Sequence, residues 1–202
     1  MGRRSDHTPR ELRALLVETG QALMAETGMA RFSGREVAKR AGYSVGTIYN
    51  VFGSLDGLIA AINTRTFTDW AQHLRDALDR AEGDRIAALV RAYFSFALAH
   101  PNLWSAIYEH RVAEGGGLSE EDAAQRGELT DLVEAEVRAA LPADTSLDVG
   151  RFARSLIAGV HGHCSYVVSG SFAMLDEADP VGSALARVRE SLKANGAIVP
   201  AE

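Results

Sequence analysis

Side chains able to do chemistry are sparse in this chain, and three groupings stand out. Ser165 follows His161 by four residues, and Asp176 comes later, so the residue types of a Ser-His-Asp triad are present. Their setting is wrong for a nucleophile. The chain has no G-x-S-x-G elbow, no Gly-rich phosphate loop and no ligand-rich metal motif, so the reading is not an enzyme. His161, His163 and Cys164 have the types of a metal site. On a helix the second would point about 200° from the first, leaving only His161 and Cys164 to converge. Two ligands make no zinc site, and neither metal nor cofactor is expected. The third grouping brackets Ala41-Gly42-Tyr43-Ser44: Arg35 and Lys39 before it, then Val45, Gly46, Thr47, Tyr49 and Asn50. What such a grouping could offer to phosphate is the free N–H groups at the start of the second segment together with the basic side chains before the turn.

Such groups need rigid elements to hold them, and nearly every periodic segment reads as helix. Thr8-Pro9-Arg10-Glu11 forms a capping box with proline at the first helical position. Leu12, Leu15, Leu16, Thr19, Ala22 and Leu23 follow at helical spacing, and Gly28 is a natural stop. Ser33-Gly34-Arg35-Glu36 opens a short second helix carrying Val37, Ala38 and Ala41, closed by Gly42. Ser44 is placed to cap a third, residues 45–52, and Ser54 a long fourth through Leu58, Ile62, Trp70, Leu74, Ala77 and Leu78. Further helices are expected near 84–100, 101–111, 119–140, 147–169 and 181–194. No run alternates as a strand would, and no repeat appears. The fold class is all-α, with about nine helices. The two short helices have the dimensions of a helix-turn-helix, in which the second lies in the major groove with its first residues toward the bases. From spacing alone, an ordinary helical hairpin fits as well.

Length and composition set the frame. A chain of 202 residues with 47% hydrophobic and 24% charged residues can bury a real core, which excludes disorder, collagen-like repeats and a disulfide-stapled miniprotein. The lone Cys164 points to a reducing compartment. No signal peptide is visible: no apolar stretch follows Arg3 and Arg4, and Asp6 breaks a myristoylation pattern. The most apolar window, residues 86–99, is too short to span a bilayer, so a cytoplasmic protein is expected. The net charge of −6 is unfavourable to nucleic acid. It is unevenly spread, however. Residues 1–55 hold eight basic and five acidic side chains; the remainder holds 13 basic and 22 acidic. A basic head of +3 precedes an acidic body of −9.

The run from Leu12 to Leu58 resembles the DNA-binding region of the tetracycline-repressor (TetR) family. The residues that carry it are Gly28, Arg35-Glu36-Val37-Ala38, Ala41-Gly42-Tyr43-Ser44, Gly46-Thr47-Ile48-Tyr49 and Phe52-Gly53-Ser54-Leu55-Asp56-Gly57-Leu58. The resemblance implies a three-helix DNA-binding domain over 1–55 and a helical effector-binding and dimerisation domain over 56–202. It implies that Thr47 and Tyr49 hold the DNA backbone, that Gly46 lets the main chain approach, and that Asn50 reaches bases or phosphates. Arg35 becomes a phosphate or base contact, Lys39 and Arg40 general electrostatic contributors, and Ser44 and Val45 the leading end of the recognition helix. The family often has Lys where this chain has Val45 and Leu55, and an aromatic in place of Val51. Arg3, Arg4 and Arg10 of an N-terminal arm could compensate.

A regulator of this kind needs a second site. Trp70, Phe94, Trp104, Tyr108, His161 and Tyr166 are the candidate effector residues, within an aromatic set that includes Tyr93, suited to an aromatic or lipophilic molecule. Trp104 and His161-Gly162 resemble a subgroup of the family defined by a Trp and a His-Gly pair. Core filling is the competing reading for each aromatic. Ala158, Gly162, Ser165 and Ser169 form a small-residue stripe opposite Phe152, Leu156, Val160, His163 and Val167, and Val181, Leu185, Val188 and Leu192 recur on the last helix. The family pairs these two helices across a two-fold axis. The resulting expectation is a homodimeric repressor on a palindromic operator of double-stranded DNA, released by a small-molecule effector, with no membrane partner and the fourth helix as lever. The alternative is a helical ligand-binding or scaffold protein without DNA binding.

Overall fold

The computed structural model describes residues 7–110 and 120–198. Among them are nine α-helices and no strand: α1 (Pro9–Thr27), α2 (Gly34–Arg40), α3 (Val45–Phe52), α4 (Leu55–Asp79), α5 (Arg85–Ala99), α6 (Pro101–Glu109), α7 (Glu120–Ala140), α8 (Val149–Val168) and α9 (Pro180–Ala194). Short 3-10 turns lie at Met29–Arg31 and Ser171–Met174. No single described helix is long and apolar enough to cross a membrane. The expected helix positions hold to within two residues, and the chain is all-α.

The N-terminal signals act as local rules require. Thr8 accepts from the Glu11 N–H at 3.3 Å while the Glu11 carboxylate accepts from the Thr8 N–H at 2.7 Å, completing the capping box. Gly28 and Gly42 both take positive φ, +69° and +81°, which only glycine adopts without strain. The second box is half made. Ser33 accepts from the Glu36 N–H, but the Glu36 carboxylate turns instead to Arg40 Nε at 3.3 Å. Ser44 sits at the N-cap of α3 without bonding its backbone; its hydroxyl pairs with that of Thr47 at 3.4 Å.

Packing gathers the chain into two units: residues 1–67 with 100–124, and residues 68–99 with 125–202. The first has its own core of Leu16, Leu23, Met24, Val37, Ile48, Leu58 and Ile62, which Leu103 and Ala106 of α6 complete. The apolar line of α1 runs through Leu16, Val17, Gly20, Leu23 and Met24. Ala22, expected on that line, is exposed. Gly20 is there because α4 comes close: a Cβ on it would stand 2.6 Å from Ile62 Cδ1. α6 is fastened to α1 by the Asn102 amide, which donates to the Ala25 carbonyl at 2.7 Å. The buried Asn63 amide on α4 donates to the Ala106 carbonyl. The first unit therefore holds part of α4 and all of α6.

The second unit is built from the end of α4, α5, most of α7, α8 and α9. Arg85 clasps Glu136 with two hydrogen bonds of 2.6 and 2.7 Å, and Arg75 reaches Glu128 at 2.6 Å. Arg189 of α9 donates to Asp84 at 2.8 Å, with both side chains largely buried.

Candidate nucleic-acid interface and apolar cavity

The first unit places α3 at its surface by a single buried anchor. Ile48 is 1% exposed, and Val51 and Phe52 are half-buried against the same core. The opposite face is open: Ser44, Val45, Gly46, Tyr49 and Asn50 are exposed, Val45 at 40% and Tyr49 at 55%. Thr47 is half-buried beside Ser44. The core of this unit does not use these side chains, which leaves the face open to another molecule. Val37 and Ala38 of α2 are buried beneath it, and Arg35 and Lys39 of the same helix are exposed. All eight residues singled out around the turn thus lie in one unit at or near its surface.

The cations of this unit are not equivalent. Arg40 is held by both carboxylate oxygens of Glu26 at 2.8 Å and by Glu36, which raises its pKa and ties α2 to the end of α1. Lys39 lies 3.8 Å from Glu36 and is otherwise solvated. Leu55 turns inward, onto Gly34, where an added Cβ would stand 2.9 Å from Leu55 Cδ1. Position 55 is a core contact here. Arg3 and Arg4 lie outside the described residues.

The proposed effector residues divide between the units. Trp104 is buried in the first, with its ring 5.2 Å from that of Tyr108, which is exposed. Trp70, Phe94, His161 and Tyr166 belong to the second. Trp70 is buried between Tyr93, edge-on at 4.7 Å, and Phe96, stacked at 5.3 Å; Phe94 is also buried. Tyr166 is 48% exposed and leans on Phe172. His161 meets the Tyr93 hydroxyl at 3.1 Å, and burial lowers its pKa. His163 turns away, donating through Nδ1 to the Gly159 carbonyl, and the fully buried Cys164 thiol is pushed up to about 12. Among the described residues no three His, Cys, Asp or Glu side chains gather.

The second unit holds a small, partly open cavity, about 40 Å³, lined by hydrocarbon from α4, α5, α7, α8 and α9. Leu74, Ile86, Val90, Val137, Leu156 and Val160 form its walls, with Tyr93 as the lining residue that carries a polar atom. None of the six proposed effector residues lines it. His161 approaches only through Tyr93. The cavity walls were invisible as a site because leucines and valines at helical spacing look the same whether they fill a core or surround a space.

An exposed second helix on a tight helix-turn-helix, continued by a separate helical unit, defines a helix-turn-helix DNA-binding regulator. Comparison with known families narrows this. Residues 16–62 match the model described as bacterial regulatory proteins, tetR family, and residues 86–188 match the tetracyclin repressor-like C-terminal domain. The chain belongs to the TetR family, whose members are non-enzymatic DNA-binding transcription regulators. Comparison with curated proteins gives no match. Among solved structures it is similar to a Rhodococcus sp. RHA1 protein of unknown function, at 26% identity over 96% of this chain and 99% of that one, with a TM-score of 0.73. A candidate tetR family regulator from Shewanella sp. PV-4 aligns at 15% identity over 91% and 97% of the two chains, TM-score 0.64. The multidrug binding protein EbrR, complexed with imidazole, aligns at 23% over 95% and 97%, TM-score 0.60. The last two likenesses concern the fold.

Proposed function

We propose that this regulator is a homodimeric, cytoplasmic repressor whose two copies of α3 enter successive major grooves of a palindromic operator, and that a small lipophilic molecule releases it. The observation that carries the DNA side is the α3 face: one side chain anchors the helix, while Ser44, Val45, Gly46, Tyr49 and Asn50 stand free of the core. Two-fold symmetry in the protein requires matching symmetry in the site. α8 and α9 supply a face for pairing. Off the buried line of α8 (Val149, Ala153, Leu156, Val160 and Cys164), Gly159 on its flank and Gly162 opposite it have open space where a Cβ would go.

The effector reading rests on the cavity, and the structural relative described as a multidrug binding protein supports a small-molecule role. Walls of hydrocarbon with one phenol hydroxyl favour an uncharged ligand, since a charge buried there would have no counter-ion. About 40 Å³ holds no more than a few waters, so a drug-sized molecule must displace α5, α7 and α8 side chains to enter. Such displacement gives the ligand different affinities for two conformations, which is the condition for reciprocal weakening of DNA binding. α4, whose residues belong to both units, is the covalent route.

Selection of duplexes from a random-sequence pool, followed by gel shift, tests the DNA arm. A palindromic consensus is expected, with the complex running as two chains per duplex; no enrichment refutes it. Thermal shift against a panel of neutral lipophilic molecules tests the effector arm, because binding to the native state raises stability by about 2.7 kcal/mol at a hundredfold excess over Kd.

A further inference from the structure

The recognition helix carries no charge. Its sequence, residues 45–52, is Val-Gly-Thr-Ile-Tyr-Asn-Val-Phe, so every phosphate beside it must be neutralised from another element. Arg40 is spent on Glu26 and Glu36, and Arg31 Nε donates to the Thr27 carbonyl. Among the described residues of this unit, no carboxylate lies within ion-pair distance of Arg10 or Arg13. Both are exposed on α1, three residues apart and therefore side by side. Two contacts fix the edge that holds them against α3. The Arg13 guanidinium lies 5.5 Å over the ring of Phe52, the last residue of α3. At the other end, His7 Nδ1 lies 2.8 Å from the hydroxyl of Tyr43, in the turn that leads into α3. Val45, Tyr49 and Phe52 recur at helical spacing along one edge of α3, so Arg13 is held on the side where Tyr49 is exposed. The Glu11 carboxylate beside them is occupied at the cap of α1.

We propose that the first turns of α1 are a phosphate-binding rail: Arg10 and Arg13 grip the DNA backbone alongside α3, with the Phe52 ring and the Tyr43 hydroxyl positioning the edge. The rail rests on the DNA-binding reading above and adds to the positive charge that Arg35 and Lys39 of α2 offer beside the uncharged α3. The experiment uses a duplex that the full-length wild-type protein enriches from a random pool. Affinity is measured between about 50 and 200 mM salt for wild type, Arg10→Gln, Arg13→Gln, the double variant and Arg13→Lys. Each lost phosphate contact lowers the slope of log affinity against log salt by about 0.9, so each Gln substitution removes about 1.8 in a two-headed complex and the pair about 3.6. Arg13→Lys keeps the wild-type slope, and Lys193→Gln, in the other unit, leaves it unchanged. An unaltered slope in the double variant, with its helical circular dichroism intact, overturns the rail while leaving the DNA reading standing. Failure of the wild type to enrich any duplex refutes both.

Discussion

Asn50 and Ile48 sit two residues apart on α3 and have opposite burdens. Ile48 is buried, and truncation to Ala should cost about 2–5 kcal/mol of stability. Asn50 is exposed, so Asn50→Ala should leave the denaturation midpoint within about 0.5 kcal/mol of wild type. Its operator affinity should fall by about 1–3 kcal/mol if the amide reads a base. Denaturation and gel shift on the same two variants separate the roles. His161 gives a pH signature. Its folded pKa lies below the ordinary 6.5 because burial disfavours the charged imidazole. Below 6.5 the unfolded chain binds the proton first, so stability drops as pH falls from 6.5 to the folded value and is level above. Urea midpoints near pH 7.5 and pH 5.5 should therefore differ less in His161→Gln than in wild type. Much at this scale was legible beforehand, because caps and tight turns obey rules spanning four residues. Thr8, Gly28 and Gly42 behave as their neighbours dictate. Ser44 and Glu36 do not: the Thr47 hydroxyl and Arg40 compete for them, and that competition is settled only in three dimensions.

Among the elements, α9 is fastened by a pair distant in sequence. Asp84 serves twice, accepting from the Ala87 N–H at the start of α5 and from Arg189. Burial works against its charge, but the bonds from Arg189 and the Ala87 backbone prevail and hold the carboxyl below its ordinary value. Its contribution is complete above the ordinary 3.8 and is lost as pH falls through the lower folded value. Asp84→Asn should cost about 3 kcal/mol at neutral pH, since it leaves the Arg189 charge largely buried without its partner. Denaturant unfolding at neutral and acid pH checks both the size and its disappearance. Periodicity located every described helix, because it reports which stripe of a helix is apolar. It could not report which neighbour covers that stripe. α6, which follows α5 directly, joins the core of α1 and α4 through Leu103 and Ala106 and carries Trp104 and Tyr108 in the first unit.

Taken whole, the chain separates its charges along its length, +3 over residues 1–55 and −9 over the rest. The segment that carries α1 to α3 attracts the DNA polyanion and the acidic remainder repels it. The net figure conceals this, and only the distribution predicts it. The cavity beneath Leu74 and Val160 has a mechanical consequence as well. Any of this apolar space that water leaves unfilled is void that unfolding eliminates, so hydrostatic compression acts on it directly. An occupant that fills this space should raise the pressure at which Trp70 fluorescence reports unfolding and should also shrink the volume change of the transition. A ligand bound elsewhere would raise the midpoint with the volume change untouched. Compression thus distinguishes a molecule lodged among these helices from one resting on their surface.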